Sequence, residues 1–547
     1  IQKALKEPPK IIDNGSYTLG ESDFIKFITS GTFVDKSLFI MEFMIYGQRA
    51  NLITRPRRFG KTTNLSMLHT FLSSRPQDRD ERFLLFTELK VSRFDWFMKL
   101  NFGKWPDLIN NSWQSMHGSL MRRISDLYTE HRYILDDKVL AKSDEKFFKK
   151  ILAGTTNESN LCSALSCLAR FLHTYFQMKS IILIDEYDWP LENAGGFYDK
   201  VDVIFRTIYS SIAKDNNHVE KILFVGLLPL GQSSFLSGLN NVVPYPMHNL
   251  PSSSGRAFFS DSFGLTEMEV ASLLEQKKII DKLDILKRYY NGYQTSTGVR
   301  IFNPHSVISY LYNNVINYYW INSSHTTTLV KYLKMCGPDI KELLYNLLYS
   351  FYQSQGVDLL QDVELKSHLR YDIIDKNPDI NAIYTLLYYS GYLTVVSSTD
   401  ITMVKLVIPN EEVAYQWKLW IFDIIGMERV KTNGIYESLF KKNIVAFCEQ
   451  FPSFYMELVS CYDIADAKRC RLYETWYHSF ILGALAMYHG MEYQVLSNRE
   501  TGGGRPDVRI IPIVENKNIC ILFEFKLAKS DDHSVMEKCA GVGLEQI

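Results

Sequence analysis

Paired cysteines are missing from this chain of 547 residues: Cys162, Cys167, Cys336, Cys448, Cys461, Cys470, Cys520 and Cys539 are scattered, and no two form a C-x-x-C pair. That spacing argues against a structural zinc site or a disulfide framework and suits a reducing, intracellular compartment, cytoplasm or nucleus. Net charge is also lacking, since 60 basic and 61 acidic residues leave −1. No global basic field advertises nucleic acid, so any such binding needs local patches. No apolar run approaches the length of a membrane span, no signal-peptide pattern opens the chain, and no internal repeat or low-complexity tract is visible. The first residue is Ile rather than Met, so the natural N-terminus is expected to be missing, and any targeting signal with it. What is present is a globular composition, 46% apolar and 22% charged, long enough for about three or four domains.

The first informative stretch is "RANLITRPRRFGKTTNLSMLHTFLSS", residues 49–74. Ala50 to Thr54 suits a short strand, and Leu65, Met67, Leu68 and Phe71 recur at helical spacing. Between them lies Gly60-Lys61-Thr62-Thr63. A loop of this kind turns backbone N–H groups around phosphate oxygens, its Lys reaches the β- and γ-phosphates, and its hydroxyl ligates Mg²⁺ at a helix N-terminus. The full pattern asks for Gly where this chain has Arg55, but "RPRRFGKT" keeps the flanking strand and helix and offers a basic surround for phosphate.

A partner motif follows in "KSIILIDEYDWP", residues 179–190. The continuous apolar run Ile181–Ile184 marks a central parallel strand buried on both faces. It ends in Asp185, suited to hold the nucleotide's Mg²⁺ through water, and Glu186, suited to polarise the attacking water. Either motif alone could be an ordinary turn; in this order they define a P-loop NTPase core. "KILFVGLL" (221–228) suits a further parallel strand.

The middle of the chain is less explicit. Asn291-Gly292 reads as a tight turn, and Asn303-Pro304 before an apolar periodic stretch reads as a helix start, neither with evident catalytic chemistry. Asn240 and Asn241 suit either a γ-phosphate sensor or a turn. From Tyr310 to Gln450, Leu, Tyr and Ile recur at helical spacing, interrupted by an alternating segment over 391–410. Helices followed by a two-stranded wing make a winged-helix-like connector, whose tyrosines read as core rather than as platforms for bases.

Residues 473–529 read as helix, strand, turn, strand, turn, strand. Asp507 begins the second strand, and Glu524 and Lys526 share one face of the third because side chains alternate with period two. Two carboxylates beside a lysine can hold Mg²⁺, or Mn²⁺ in its place, which activates water and neutralises a phosphodiester. Lys526 would orient that water or meet the charge growing on the phosphate. A structural ion pair is the plain alternative. His478 suits a phosphate contact or a packed helical histidine, and Arg499 and Arg505 suit backbone contacts or solvated surface.

Taken in order, "FVDKSLFI" (33–40), "LITRPRRFGKTT", "LIDEYDWP", "FLSGLNNV" (235–242), "FGLTEMEV" (263–270), "YYNGYQ" (289–294) and "FNPHSVISYL" (302–311) resemble the AAA-ATPase-like family, over roughly residues 17–547. Its members commonly carry a C-terminal PD-(D/E)XK nuclease-like domain. The resemblance implies an α/β multidomain chain: an N-terminal extension over 1–30, a P-loop domain with a parallel sheet and flanking helices over 31–260, a helical lid and winged-helix-like connector over 261–450, and a restriction-endonuclease-like αβββαβ domain over 451–547. It also implies that Glu474, on the helix before the sheet, completes the nuclease metal shell. Gln546 falls where the trailing helix often carries a Gln, and that helix is expected to be cut short. No arginine finger is identifiable; Arg206 and Arg256 are merely available. The expected function is an ATP-dependent or ATP-regulated, Mg²⁺-dependent nuclease cleaving phosphodiester bonds, with DNA rather than RNA the expected substrate, without a membrane, and with self-association left open. The alternative is a signalling NTPase whose nuclease-like domain only binds nucleic acid or a protein.

Overall fold

The computed structural model describes residues 8–73, 79–93, 112–229, 241–248, 257–323, 327–335, 344, 347–348, 350–351, 362–366, 369–376, 379–398, 402–425, 429–458, 481, 485, 488, 493–497, 506–514, 519–526, 528, 530 and 532–546. The chain divides into two compact units, one formed by residues 1–325 and 361–412, the other by 326–360 and 413–547.

The first unit opens with β1 (Ile11–Asp13), α1 (Phe24–Ser30) and β2 (Thr32–Val34), the two strands pairing antiparallel. Asp23 caps α1 by accepting from the Lys26 N–H, which satisfies one of the donors a helix start leaves unpaired. β3 (Ala50–Thr54), buried at every position, leads into α2 (Lys61–Leu72). Three amphipathic helices follow, α3 (Trp113–Glu130), α4 (Lys142–Leu152) and α5 (Glu158–Phe176), then β4 (Ser180–Ile184), α6 (Tyr198–Ala213), β5 (Val219–Gly226) and β6 (Val242–Tyr245).

These strands form a wholly parallel sheet in the order β4-β5-β3-β6, in register Ile53 with Val225 and Leu183 with Leu223. Helices on its faces explain the unbroken apolar runs, since both sides of each strand are covered. Ile53, Leu65, Leu68, Ile181, Leu183, Leu223 and Val225 meet in one core. Each such side chain contributes about 1.5–3 kcal/mol on leaving water. β5 lies between the strand before the Gly-Lys-Thr loop and the strand ending at Asp185, so these two motifs face each other across one intervening strand.

A small antiparallel sheet, β7 (Leu265–Thr266), β8 (Tyr293–Gln294) and β9 (Arg300–Phe302), is ordered β7-β9-β8. It accompanies α7 (Glu267–Gln276), α8 (Leu283–Tyr290) and α9 (Pro304–Asn313). Asn303 starts α9 as its sequence suggests: the side chain accepts from the N–H groups of His305 (2.9 Å) and Ser306 (3.3 Å). β10 (Val363–Glu364), α10 (Ile380–Ser390), β11 (Thr394–Ser398) and β12 (Met403–Val407) come next. β11 and β12 form the expected hairpin, and β10 adds a third strand in the order β10-β12-β11. α11 (Glu411–Ile425) begins in this unit.

In the second unit α12 (Arg429–Phe440) and α13 (Ile444–Leu458) precede β13 (Tyr493–Ser497), β14 (Val508–Pro512), β15 (Ile521–Phe523) and α14 (His533–Gln546). The strands form an antiparallel sheet in chain order. Tyr493, Val495, Val508 and Ile510 alternate inward against Tyr436, Phe447 and Phe451. Most of the helix expected before β13 lies outside the described residues, with only Ile481 and Leu485 of "SFILGALAMY" helical among those described. No helix among the described residues is long and apolar enough to cross a membrane. Cys162, Cys167, Cys448, Cys520 and Cys539 are free thiols.

Candidate functional site

The loop between β3 and α2 must reverse the chain while aiming its amides inward. Gly60 does so at φ 79°, a left-handed conformation that a glycine adopts without steric cost, and Arg58 also takes φ 66°. Lys61, only 8% exposed, folds back inside the loop and donates from Nζ to the carbonyls of Arg55 (2.9 Å) and Pro56 (2.8 Å). Burial lowers its pKa, against the opposing pull of Asp185, Glu186 and Asp188. The ammonium is thus fixed where the loop encloses it, close to three carboxylates.

Thr62 Oγ1, on the first turn of α2, donates to Asp185 Oδ2 at 2.7 Å. Two hard oxygen donors therefore meet beside Lys61, a donor set that fits the Mg²⁺ of a nucleotide. Glu186 follows in the left-handed region (φ 47°), a strained conformation for a non-glycine residue that costs on the order of 1 kcal/mol and is common at functional sites. Asp188, fully enclosed, accepts from the N–H groups of Leu227 (2.8 Å) and Leu228 (2.7 Å), and burial pushes its carboxyl up to about 6. It fastens the turn after β4 to the chain leaving β5.

These groups line a cavity of about 580 Å³, within the size range of small-molecule sites. Its walls include Arg57, Arg58, Gly60, Lys61, Thr62, Thr63, Glu186, Asp188 and Glu192, with Thr18–Ser22 and Phe27 on one side and Pro304, His305 and Ile308 of α9 on another. Asp185 adjoins it through Thr62. His305 is a member that sequence reasoning missed: "FNPHS" reads correctly as a helix start, yet its His faces the cavity. Burial and the nearby Arg58 lower the His305 pKa, favouring the neutral ring. Arg57 Nη2 donates to Glu192 Oε1 at 2.7 Å. Burial opposes the Arg57 charge, but Glu192, Tyr371 and Glu186 together more than offset it, and the guanidinium pKa lies above its usual value.

Three expectations need correction or relocation. Arg55 does not belong to the basic surround for phosphate: it is 1% exposed and donates to the carbonyls of Thr54 (2.7 Å), Tyr245 (2.8 Å) and Phe259 (2.6 Å), with its guanidinium 5.3 Å from the Phe263 ring centroid. Backbone carbonyls at the ends of β3 and β6 need donors, and a planar cation with several N–H groups supplies them. Arg206 pairs with Asp202 one turn earlier on α6, away from the cavity walls. Asn241 donates to the Ala213 carbonyl at 2.9 Å, which is the turn role; Asn240 and Arg256 lie outside the described residues.

In the second unit, Asp507 stands one residue before β14 rather than as its first member, and Glu524 and Lys526 stand just past β15. The antiparallel register of Val508 with Phe523 brings these ends together. Phe525 N donates to Asp507 Oδ2 at 2.7 Å, Asp507 N donates to Glu524 Oε2 at 3.3 Å, and Lys526 Nζ meets Glu524 Oε1 at 2.7 Å. Phe525 packs towards the apolar core, as alternation requires. The α14 backbone closes in from above: a Cβ on Gly543 would sit 3.4 Å from Lys526 Cγ and 3.5 Å from Glu524 Cγ. Gln546 is one turn further along this helix. Two carboxylates joined through shared backbone contacts, with an ammonium beside them, fit a hard divalent cation. Glu474, His478, Arg499 and Arg505 lie outside the described residues.

Comparisons with known proteins agree on both halves. The family model described as "Predicted AAA-ATPase" matches residues 18–236, and that of the PD-(D/E)XK nuclease superfamily matches residues 472–547. The chain therefore combines an AAA-ATPase-like domain with a nuclease-superfamily domain. No curated protein matches. A Walker-type ATPase of Pyrococcus abyssi is similar at 12% identity over 70% of this chain and 95% of that one, with a TM-score of 0.34, too low to carry an argument.

Proposed function

We propose that this chain, an ATPase-like domain joined to a PD-(D/E)XK superfamily domain, is an ATP-dependent or ATP-regulated nuclease that cleaves phosphodiester bonds, with DNA as its substrate. We take the ATPase domain over 31–260, the lid and connector over 261–450 and the nuclease domain over 451–547. The observation that carries the reading is the convergence of Asp507, Glu524 and Lys526 at two adjoining strand ends, held by hydrogen bonds of 2.7–3.3 Å.

Each residue then has a role. Asp507 and Glu524, with Glu474 from the preceding helix, would hold Mg²⁺ or Mn²⁺, which supplies a polarised water and neutralises phosphate charge. Lys526 releases Glu524, orients the water and meets charge developing on the phosphate. In the ATPase site, Gly60 shapes the loop, Lys61 meets the β- and γ-phosphates, and Thr62 and Asp185 hold the nucleotide's Mg²⁺. Thr63 lines the phosphate pocket, and Glu186 accepts a proton from the attacking water. Nucleic acid is the partner, and self-association is compatible with this chemistry.

A second reading has one observation in its favour. The 2.7 Å contact between Lys526 and Glu524 is also what a structural ion pair looks like, as expected of a nuclease fold that only binds. Labelled single- and double-stranded DNA and RNA, incubated with Mg²⁺ or Mn²⁺, with and without ATP, distinguish the two. Cleavage that disappears in Lys526→Ala and responds to Lys61→Ala supports the ATP-linked nuclease. Intact substrate in every lane, with ATP still consumed, would replace it with the binding reading.

A further inference from the structure

We infer that Arg57 is the arginine that meets the transferring phosphate of the nucleotide, supplied by this chain's own loop, and that Glu192 holds it back until the nucleotide binds. The inference rests on the ATP-hydrolysis reading above and adds the group that reading lacks.

Elimination leads to it. Phosphoryl transfer spreads negative charge over the γ-oxygens, and an arginine brought to that charge accelerates the step strongly, whether it comes from the same chain or from a partner. Arg55 is committed to three buried carbonyls, and Arg206 is committed to Asp202. Among the described residues, the arginines lining the cavity are Arg57 and Arg58. Arg58 is exposed, at the rim beside His305. Arg57 is part-buried and in the electrostatic reach of Glu186, the residue assigned to the attacking water.

The attachments of Arg57 suit a side chain that moves from a fixed base. Its carbonyl accepts from the buried Trp320 indole N–H at 3.0 Å, which anchors the backbone. Among the described residues, its guanidinium donates a hydrogen bond to Glu192 at 2.7 Å. Glu192 ends the helical turn Trp189–Glu192, which begins three residues after Glu186, and it lines the same cavity. A γ-phosphate can replace that carboxylate one anion for another, so the swap leaves no cation unpaired in a part-buried site. In the reaction, the water oxygen bonds to the γ-phosphorus as the bond to the bridging oxygen breaks. The electron pair leaves with ADP, and the water's proton passes to Glu186. Arg57 makes and breaks no bond; it meets the charge on the γ-oxygens.

The test uses the full chain with Mg²⁺ and ATP, measuring phosphate release, nucleotide affinity by titration with a fluorescent ATP analogue, and melting temperature. Arg57→Ala should lower kcat by roughly 10³-fold with affinity little changed, and Arg57→Lys should recover only part of that loss. Glu192→Gln should raise the basal rate several-fold, because it releases the guanidinium. In the unaltered chain, the rate per molecule should stay constant on dilution. Arg57→Ala at the unaltered rate, the same loss in Arg58→Ala alone, or a rate that falls on dilution would each overturn the inference while leaving hydrolysis intact. Bound nucleotide that the unaltered chain never hydrolyses would overturn the ATPase reading itself.

Discussion

The cavity beside Lys61 and the Asp507–Glu524–Lys526 cluster are both built at the ends of strands, yet they are built in opposite ways. In the first, the lysine is 8% exposed and tied to loop carbonyls, and the supporting arginine is 1% exposed. In the second, Lys526 is exposed and its ammonium meets Glu524 at 2.7 Å, while Asp507 is tied to the neighbouring strand end by the Phe525 N–H. On the proposed reading, the first site encloses a small triphosphate, has to exclude water and is coupled to the core beneath it. On the same reading, the second must stay open to a polymer, so its members can change with little cost to the fold.

The contrast can be broken by mutation. The largest effect is expected beneath the closed site. Arg55→Met should destabilise the first unit by about 3–5 kcal/mol, because it orphans carbonyls at the ends of two strands and removes the cation facing buried Glu42. Chemical denaturation would register that loss. At the open site, Lys526→Ala should reduce cleavage by roughly 10²–10³-fold with an almost unchanged melting curve. A melting curve that drops as sharply as the activity would erase the contrast. Gly226→Ala comes next, at about 1–3 kcal/mol, since the new Cβ would lie 2.5 Å from Asp188 Oδ1 and 2.6 Å from the Tyr187 ring. ATP hydrolysis should fall with it, because Asp188 and Leu227 border the cavity.

The smallest expected effect is on pH dependence. Glu412, 1% exposed, accepts from Ser306 Oγ (2.8 Å) and Trp320 N (2.7 Å), and burial pushes its pKa from 4.5 up to about 8. The folded state therefore holds this proton more tightly than the unfolded chain does. The stability it contributes is complete below about 4.5 and is lost as pH rises towards about 8. Glu42, raised to about 7 by burial, acts in the same direction. Melting temperature should decline across that window, and Glu412→Gln should flatten the decline; an unchanged slope would exclude Glu412 as its source.

The sequence was informative where chemistry follows from near neighbours. The strand Ala50–Thr54, the helix Lys61–Leu72 and nearly all of the strand Ser180–Ile184 are legible because strand, loop and helix succeed one another within a few residues. Glu524 and Lys526 do meet, as the alternation suggests, although both stand just past the third strand rather than on it. Arg55 misleads because its neighbours are basic, while the carbonyls that claim it come from Tyr245 and Phe259, far along the chain. His305, Asp188 and Glu192 join the cavity through tertiary packing, which no local period encodes. One signal was there to be used: "DEYD" carries a second aspartate after the first pair, at a spacing that lets it reach the end of the neighbouring strand.

The first unit is built from two separated pieces of chain, and this bears on how it comes to be made. Arg288 pairs with Glu411 at 2.9 Å, Asn410 donates to the Asn291 carbonyl at 2.7 Å, and Glu412 gathers Ser306 and Trp320. During synthesis, the loop that grips Lys61 is complete long before these late residues leave the ribosome. Its backing through Trp320 comes 263 residues after Arg57, and Glu412 follows 92 residues later still. A nascent chain in that interval exposes an unfinished core, the condition in which chaperones are engaged and aggregation competes with folding. An ATPase-like unit expressed by itself should accordingly aggregate less when it extends through Glu412 than when it stops at residue 260.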